Sequence, residues 1–128
     1  MRIEISGHNY EVTDELEAYI NKRIKKLTKR LNKHLKESAH IMVKLTEQDK
    51  SPTKKYEAEI ILRLPPKEEM VAKDATVNMF AAVDIAEAKL ESQLRKYKEK
   101  QSNHKTDRKK IFARMRRKAD RDFRGSQN

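Results

Sequence analysis

Apolar and polar residues alternate along Arg2 to Ser6, with Ile3 and Ile5 on one side and Arg2, Glu4 and Ser6 on the other. This pattern predicts a short half-buried strand, and Gly7 marks the turn out of it. Leu16, Tyr19, Ile20, Ile24, Leu27, Leu31 and Leu35 then recur at the helical period. With Thr13 or Asp14 as cap and Asp14 and Glu17 at capping-box spacing, they predict one helix running unbroken to about Lys36. Period-two alternation returns at Ile41, Val43 and Leu45, and again at Tyr56, Ala58, Ile60 and Leu62. These are two further strands, separated by a turn over Asp49 to Thr53 that contains Ser51-Pro52. Pro65-Pro66 breaks the chain before a weaker fourth strand over Glu68 to Val77. Met79, Ala82, Val83, Ala86, Leu90, Leu94 and Tyr97 form the stripe of a second long helix, capped by Asn78 or Thr76 and ending near Lys100.

The predicted order is β-α-β-β-β-α, an α+β fold. An antiparallel four-stranded sheet with two helices packed on one face would bury all the stripes together. This order resembles a double-stranded-RNA-binding domain with one extra strand in front, so it is double-stranded-RNA-binding-domain-like. Gln101 to Lys105 is polar and helix-weak, which places the boundary of a domain over residues 1–101. The remainder, 102–128, has Ile111, Phe112, Met115 and Phe123 as its large apolar residues and is too poor in them for a second core. It reads as a flexible tail.

Composition turns this fold toward a polyanion. The 128 residues carry a formal net charge of +11 and a pI near 9.8, which points to nucleic acid first. Ten Lys/Arg against three Asp/Glu lie in 102–128, and 21 against 17 in the preceding 101 residues, so a modestly basic domain bears a strongly basic tail. The chain has no cysteine and no tryptophan, which removes disulfides, thiolate metal sites and cysteine nucleophiles. It shows neither an apolar run of membrane-spanning length nor a signal-peptide core, and it reads as cytoplasmic with no membrane partner.

Lys22, Arg23, Lys25, Lys26, Lys29, Arg30, Lys33 and Lys36 succeed one another without an acid between them. Lys22, Lys25, Lys26, Lys29 and Lys33 fall at spacings of three and four, a one-signed ridge beside the leucine stripe. Like charges at such spacings disfavour a helix slightly, so the ridge suggests phosphate contact. The plainer reading is a solvated face whose last lysines suit the helix dipole. Toward the end of the second helix, Lys89, Arg95, Lys96, Lys98 and Lys100 stand among Glu87, Glu91 and Glu99. They are either a salt-bridged surface or the second wall of a basic groove. Glu57 and Glu59 put acid on one side of the sheet. In the tail, Arg108, Lys109, Lys110, Arg114, Arg116 and Arg117 are candidate RNA contacts. His8, His34, His40 and His104 show no metal-ligand spacing, and Asp84 reads as an ion-pair partner or a solvated acid. No catalytic constellation, metal or cofactor site stands out.

Two local sequences carry a family resemblance. Ile5-Ser6-Gly7-His8-Asn9-Tyr10-Glu11-Val12-Thr13 looks like the first strand-to-helix passage of ribosome hibernation promoting factors. Asn78-Met79-Phe80-Ala81-Ala82-Val83-Asp84, continuing through Lys89-Leu90-Glu91-Ser92-Gln93-Leu94-Arg95-Lys96, resembles that family's second helix. The resemblance covers residues 1 to about 100. It implies binding to the small ribosomal subunit and its ribosomal RNA near the decoding region, where messenger and transfer RNA are blocked sterically and translation stops in idle cells. The family's basic helix residues would fall on Lys22, Lys25, Lys26, Lys29, Lys89, Arg95 and Lys96. Ser92 stands where the family often has an arginine, and 102–128 cannot supply the second, dimerising domain of long members. The expectation is therefore a non-enzymatic protein, monomeric off the ribosome, without a small-molecule substrate. A general double-stranded-RNA-binding module and a ribosome-assembly protein are the competing readings.

Overall fold

The computed structural model describes residues 1–50 and 53–100. Its elements are β1 (Arg2–His8), α1 (Asp14–Thr28), α2 (Lys33–Ser38), β2 (His40–Lys50), β3 (Thr53–Leu64), β4 (Glu68–Thr76) and a helix α3 over 79–100. Met1–Leu94 form one compact unit, while residues 95–100 belong to a second. The sheet order is β1-β2-β3-β4. It is mixed and not wholly antiparallel as expected: β1 pairs parallel to β2, and the other two pairings are antiparallel. A helical crossover between neighbouring strands returns the chain in the same direction, which makes the first pair parallel. Tight turns can only reverse it.

The period-two pattern sets the core. Ile3 pairs with Ile41 and Ile5 with Val43, and these rows continue through Leu62 and Ile60 to Met70 and Ala72. Ile41, Val43, Leu45, Ala58 and Leu62 are fully buried, as are Leu16 and Ile20 of α1 and Ala82, Ala86 and Leu90 of α3. Both long helices thus close one face of the sheet. Burying each Ile, Leu or Val side chain among them contributes about 1.5–3 kcal/mol.

The predicted first helix is two helices. Thr28 is fully buried, and its hydroxyl donates to the Ile24 and Lys25 carbonyls. The backbone then tightens, with Leu31 N–H bonded to the Thr28 carbonyl three residues back. Asn32 restarts the helix by accepting from Leu35 N–H at 2.8 Å. Leu27, Leu31 and Leu35 keep their spacing across the break, so periodicity alone conceals it.

The first turn is also displaced. Gly7 lies inside β1, and the chain turns at Asn9, whose φ is +52°. Gly7 is required because a Cβ there would sit 2.1 Å from the Tyr10 carbonyl oxygen. Thr13 caps α1 by accepting from Leu16 N–H, so the Asp14–Glu17 box is not used. Asn78 caps α3 through Phe80 N–H. The predicted turn at Asp49 to Thr53 is narrower than expected. The β2 and β3 strands pair out to Lys50 and Thr53, beyond the last rungs of β1 and β4, and Ser51 and Pro52 lie outside the described residues.

Candidate nucleic-acid interface

Helix α1 has its acids, Asp14, Glu15 and Glu17, in the first turn and its bases toward the other end, both favourable to the helix dipole. The dipole accounts for Lys25 and Lys26 in the last turn but not for Lys22, a turn earlier. At 3.6 residues per turn, Lys22, Lys25, Lys26 and Lys29 fall within an arc of roughly 100°, opposite the buried Leu16, Ile20, Ile24 and Leu27. All four are exposed. Among the described residues none of them lies within salt-bridge distance of a carboxylate, whereas Arg23 and Arg30 on the same segment do. Lys33 is exposed too, but it opens α2 beyond the break and does not continue the α1 ridge.

The arginines look inward along the seam between α1 and α3. Tyr19 Oη donates to Asp84 Oδ1 at 2.5 Å and accepts from Arg23 Nε at 3.1 Å. The Arg23 guanidinium also meets Asp84 at 3.0 Å and Glu87 at 3.1 Å, and it lies 5.3 Å from the Tyr19 ring centre. Phe80 packs edge-on against Tyr19 at 5.2 Å. Further along, Arg30 Nη1 is 2.8 Å from Glu91 Oε1. The hydrogen bond to Asp84 pushes the Tyr19 hydroxyl pKa up, and burial pushes the Glu87 carboxyl up against the lowering effect of Arg23.

This seam changes the expected groove. Helix α3 presents Asp84, Glu87 and Glu91 to α1, while Lys89 lies on its other flank, where its Nζ donates to the Lys73 carbonyl at 3.0 Å and to Asp74 at 3.2 Å. Gln93 joins it there, donating to the Val71 carbonyl. Up to Leu94, then, the α3 wall beside α1 is acidic and already paired. Arg95, Lys96, Lys98 and Lys100 are helical and exposed at the end of α3. The tail candidates Arg108, Lys109, Lys110, Arg114, Arg116 and Arg117 lie outside the described residues.

The helix-free face of the sheet is of mixed sign. Glu4 meets Arg2 at 2.9 Å and His40 at 3.3 Å, Arg63 meets Glu69 at 3.0 Å, and Glu57 meets Lys73 at 3.3 Å and Gln48 at 2.6 Å. The acid expected on that face from Glu57 and Glu59 is thus interleaved with Arg2, Arg63 and Lys73, and the one-signed surface is the outer face of α1. Among the described residues no group of His, Asp and Glu is placed to hold a metal ion, and no helix is long and apolar enough to cross a membrane.

Sequence reasoning anticipated Asp84 as an ion-pair partner but missed Tyr19, Arg23, Glu87 and Glu91 as its network. A usable signal existed. Arg23 and Arg30 are seven apart on one segment, and Asp84, Glu87 and Glu91 are three and four apart on the other, two complementary stripes at helical spacing.

Residues 3–102 match the protein family described as Sigma 54 modulation protein / S30EA ribosomal protein. The sequence is similar to the ribosome hibernation promotion factor of Lactococcus lactis subsp. cremoris (strain MG1363), 33% identical over 99 residues, covering 77% of this chain and 50% of that one. It is similar to the ribosome hibernation promoting factor of Azotobacter vinelandii, 35% identical over 101 residues, covering 79% and 86%. The factor from Staphylococcus aureus (strain COL) is 33% identical over 109 residues, covering 84% and 54%. The chain thus spans about half the length of the first and third of these relatives. The fold is similar to the crystal structure of Thermus thermophilus Protein Y N-terminal domain, with a TM-score of 0.64 and 26% identity, over 76% of this chain and 99% of that one.

Proposed function

The chain belongs to the Sigma 54 modulation protein / S30EA ribosomal protein family, and from that premise we propose that it is a cytoplasmic ribosome hibernation factor that docks on the small ribosomal subunit near the decoding region. It occupies space that messenger and transfer RNA need, and so holds idle ribosomes silent without any chemical step. The observation that carries this reading is the outer face of α1, where Lys22, Lys25, Lys26 and Lys29 are exposed and meet no carboxylate among the described residues. Four such charges held in fixed relation suit phosphates of folded ribosomal RNA, and each contact gains from the release of a condensed counterion. The names of the similar proteins, ribosome hibernation promotion or promoting factors, support the same assignment. Lys33, Lys89, Arg95, Lys96, Lys98, Lys100 and the tail arginines and lysines extend the proposed footprint, while Arg30, held by Glu91, stands at its edge. Off the ribosome the protein acts as a monomer.

The test is co-sedimentation of the full chain with vacant small subunits, with a short RNA duplex of unrelated sequence as competitor. Saturation at one copy per subunit, resistant to the duplex at physiological salt, supports the proposal. Non-saturating binding that the duplex erases would instead mean a general double-stranded-RNA-binding module, and binding to precursor particles alone would mean an assembly protein.

A further inference from the structure

Two half-exposed arginines border the lysine ridge, yet neither faces outward. Arg23 precedes Lys26 by three residues on α1, which makes the two neighbours on the helix surface. Its side chain keeps 38% of its accessibility, close enough to solvent to reach a phosphate beside Lys26. Two carboxylates and a phenol hold it instead: Asp84 at 3.0 Å, Glu87 at 3.1 Å and the Tyr19 oxygen at 3.1 Å. Arg30, half exposed, is held by Glu91 at 2.8 Å. A chain selected only for charge against a polyanion would leave such guanidinium groups open, because a guanidinium reads phosphate better than an ammonium does.

We infer that Asp84, Glu87 and Glu91 are specificity-determining residues, which keep phosphate out of the α1–α3 seam and confine the RNA contact of α1 to its lysine face. Resting on the proposed ribosome-binding role, this assigns the acids a task in choosing the RNA. Discrimination is a difference of affinities, and it sharpens when binding to the wrong partner is penalised. A continuous duplex can lay phosphates along any cationic groove by charge alone. With the seam filled by paired acids, a duplex finds the ridge but no groove, and the four lysines suffice only where folded RNA presents phosphates that match them. Mechanically the acids do two things at once. They use up the arginine donors, and they repel any phosphate that approaches the seam.

The test uses the full chain and its triple variant Asp84→Asn, Glu87→Gln, Glu91→Gln, with affinity measured by fluorescence anisotropy on a labelled unrelated RNA duplex across a salt series. Each arginine relieved of its paired carboxylate charge should add one phosphate contact and steepen the log affinity–log salt slope by about 0.9. The two together steepen it by about 1.8, so the variant's advantage over wild type on the duplex should fall about twelvefold between about 50 and 200 mM salt. Preference for small subunits over duplex should fall as well. Adding Arg23→Gln to the triple variant should cancel the part of the gain that Arg23 supplies, an outcome a purely structural role would not give. Glu91→Gln alone, at the half-exposed Arg30 pair, repeats the test where the fold is least at risk, with thermal unfolding as the control. An unchanged or shallower slope in both Glu91→Gln and the triple variant, with wild type binding small subunits normally, would overturn the inference and leave the proposed function standing. A wild-type protein that binds no small subunits would sink both.

Discussion

Reversing charge on the outer face of α1 should cost less stability than reversing it at the seam. Lys25 and Lys29 are exposed and have no carboxylate partner among the described residues, so Lys25→Glu with Lys29→Glu breaks no native ion pair. Two acids near the C-terminal end of α1 act against the dipole, at about 0.3–1 kcal/mol each. New attractions to Lys22 and Lys26 offset part of that, at about 0.2–0.5 kcal/mol per pair. The double variant should therefore lose no more than about 1.6 kcal/mol. Arg23→Glu, on the same helix, takes away the partner of Asp84 and Glu87, 3.0 and 3.1 Å distant, and adds a third carboxylate to a site where burial already disfavours the Glu87 charge. Losing the partner of a fully buried pair costs about 3–5 kcal/mol. With Arg23 and Asp84 a little over a third exposed, solvent screening reduces this to about 2 kcal/mol. Urea unfolding measures both changes. In parallel, salt-series binding to small subunits should show the Lys25→Glu, Lys29→Glu slope shallower by about 1.8, one unit of about 0.9 for each lost phosphate contact. A double variant destabilised by more than about 2 kcal/mol would place the lysines in the packing. One that is stable and binds with an unchanged slope would remove the outer face of α1 from the contact surface.

Three further outcomes follow from the same geometry. Gly7→Ala forces a Cβ against the Tyr10 carbonyl, which is backbone and cannot rotate aside; it should cost about 3 kcal/mol in urea unfolding, and a loss under about 1 kcal/mol would show that the β1–α1 turn relaxes freely. Asn32→Ala removes the cap of α2 and should cost about 1 kcal/mol, with faster amide exchange at Leu35; unchanged exchange would mean the helix restarts without it. Burial raises the Glu87 pKa, so the folded protein holds that proton more readily than the unfolded chain. Its contribution to stability is therefore greatest below the unfolded pKa and declines as pH rises through the folded one. The stability of wild type relative to Glu87→Gln should fall as pH rises through and above the usual carboxylate range, and a rise there would reverse the assignment.

What sequence made legible here were the elements with one-sided burial. Ile41, Val43 and Leu45 alternate because one face of β2 meets helices and the other water, and the stripe from Met79 to Leu94 repeats because one side of α3 meets the sheet. The break after Thr28 was hidden, since apolar spacing is the same across it. Asn32, a good cap in the middle of a helical period, was the local clue. The parallel β1–β2 pairing was also implicit, because a helix joins those strands. The site was less legible than the fold. Exposure of Lys22, Lys25, Lys26 and Lys29 follows from their position opposite the leucine stripe. Which flank of α3 faces α1 does not, because it depends on how the helices lie across the sheet. That choice set Asp84, Glu87 and Glu91 against Arg23 and Arg30, and sent Lys89 to Asp74.

We propose that the lysine face of α1 seats the protein where it competes with the decoding ligands. Filter binding of transfer RNA to messenger-programmed small subunits, at increasing concentrations of the full chain, tests it most directly. Transfer RNA should be half displaced at the concentration that half saturates the subunit, and the Lys25→Glu, Lys29→Glu variant should displace none over the same range. Full occupancy of the subunit by the protein with transfer RNA still bound would contradict it.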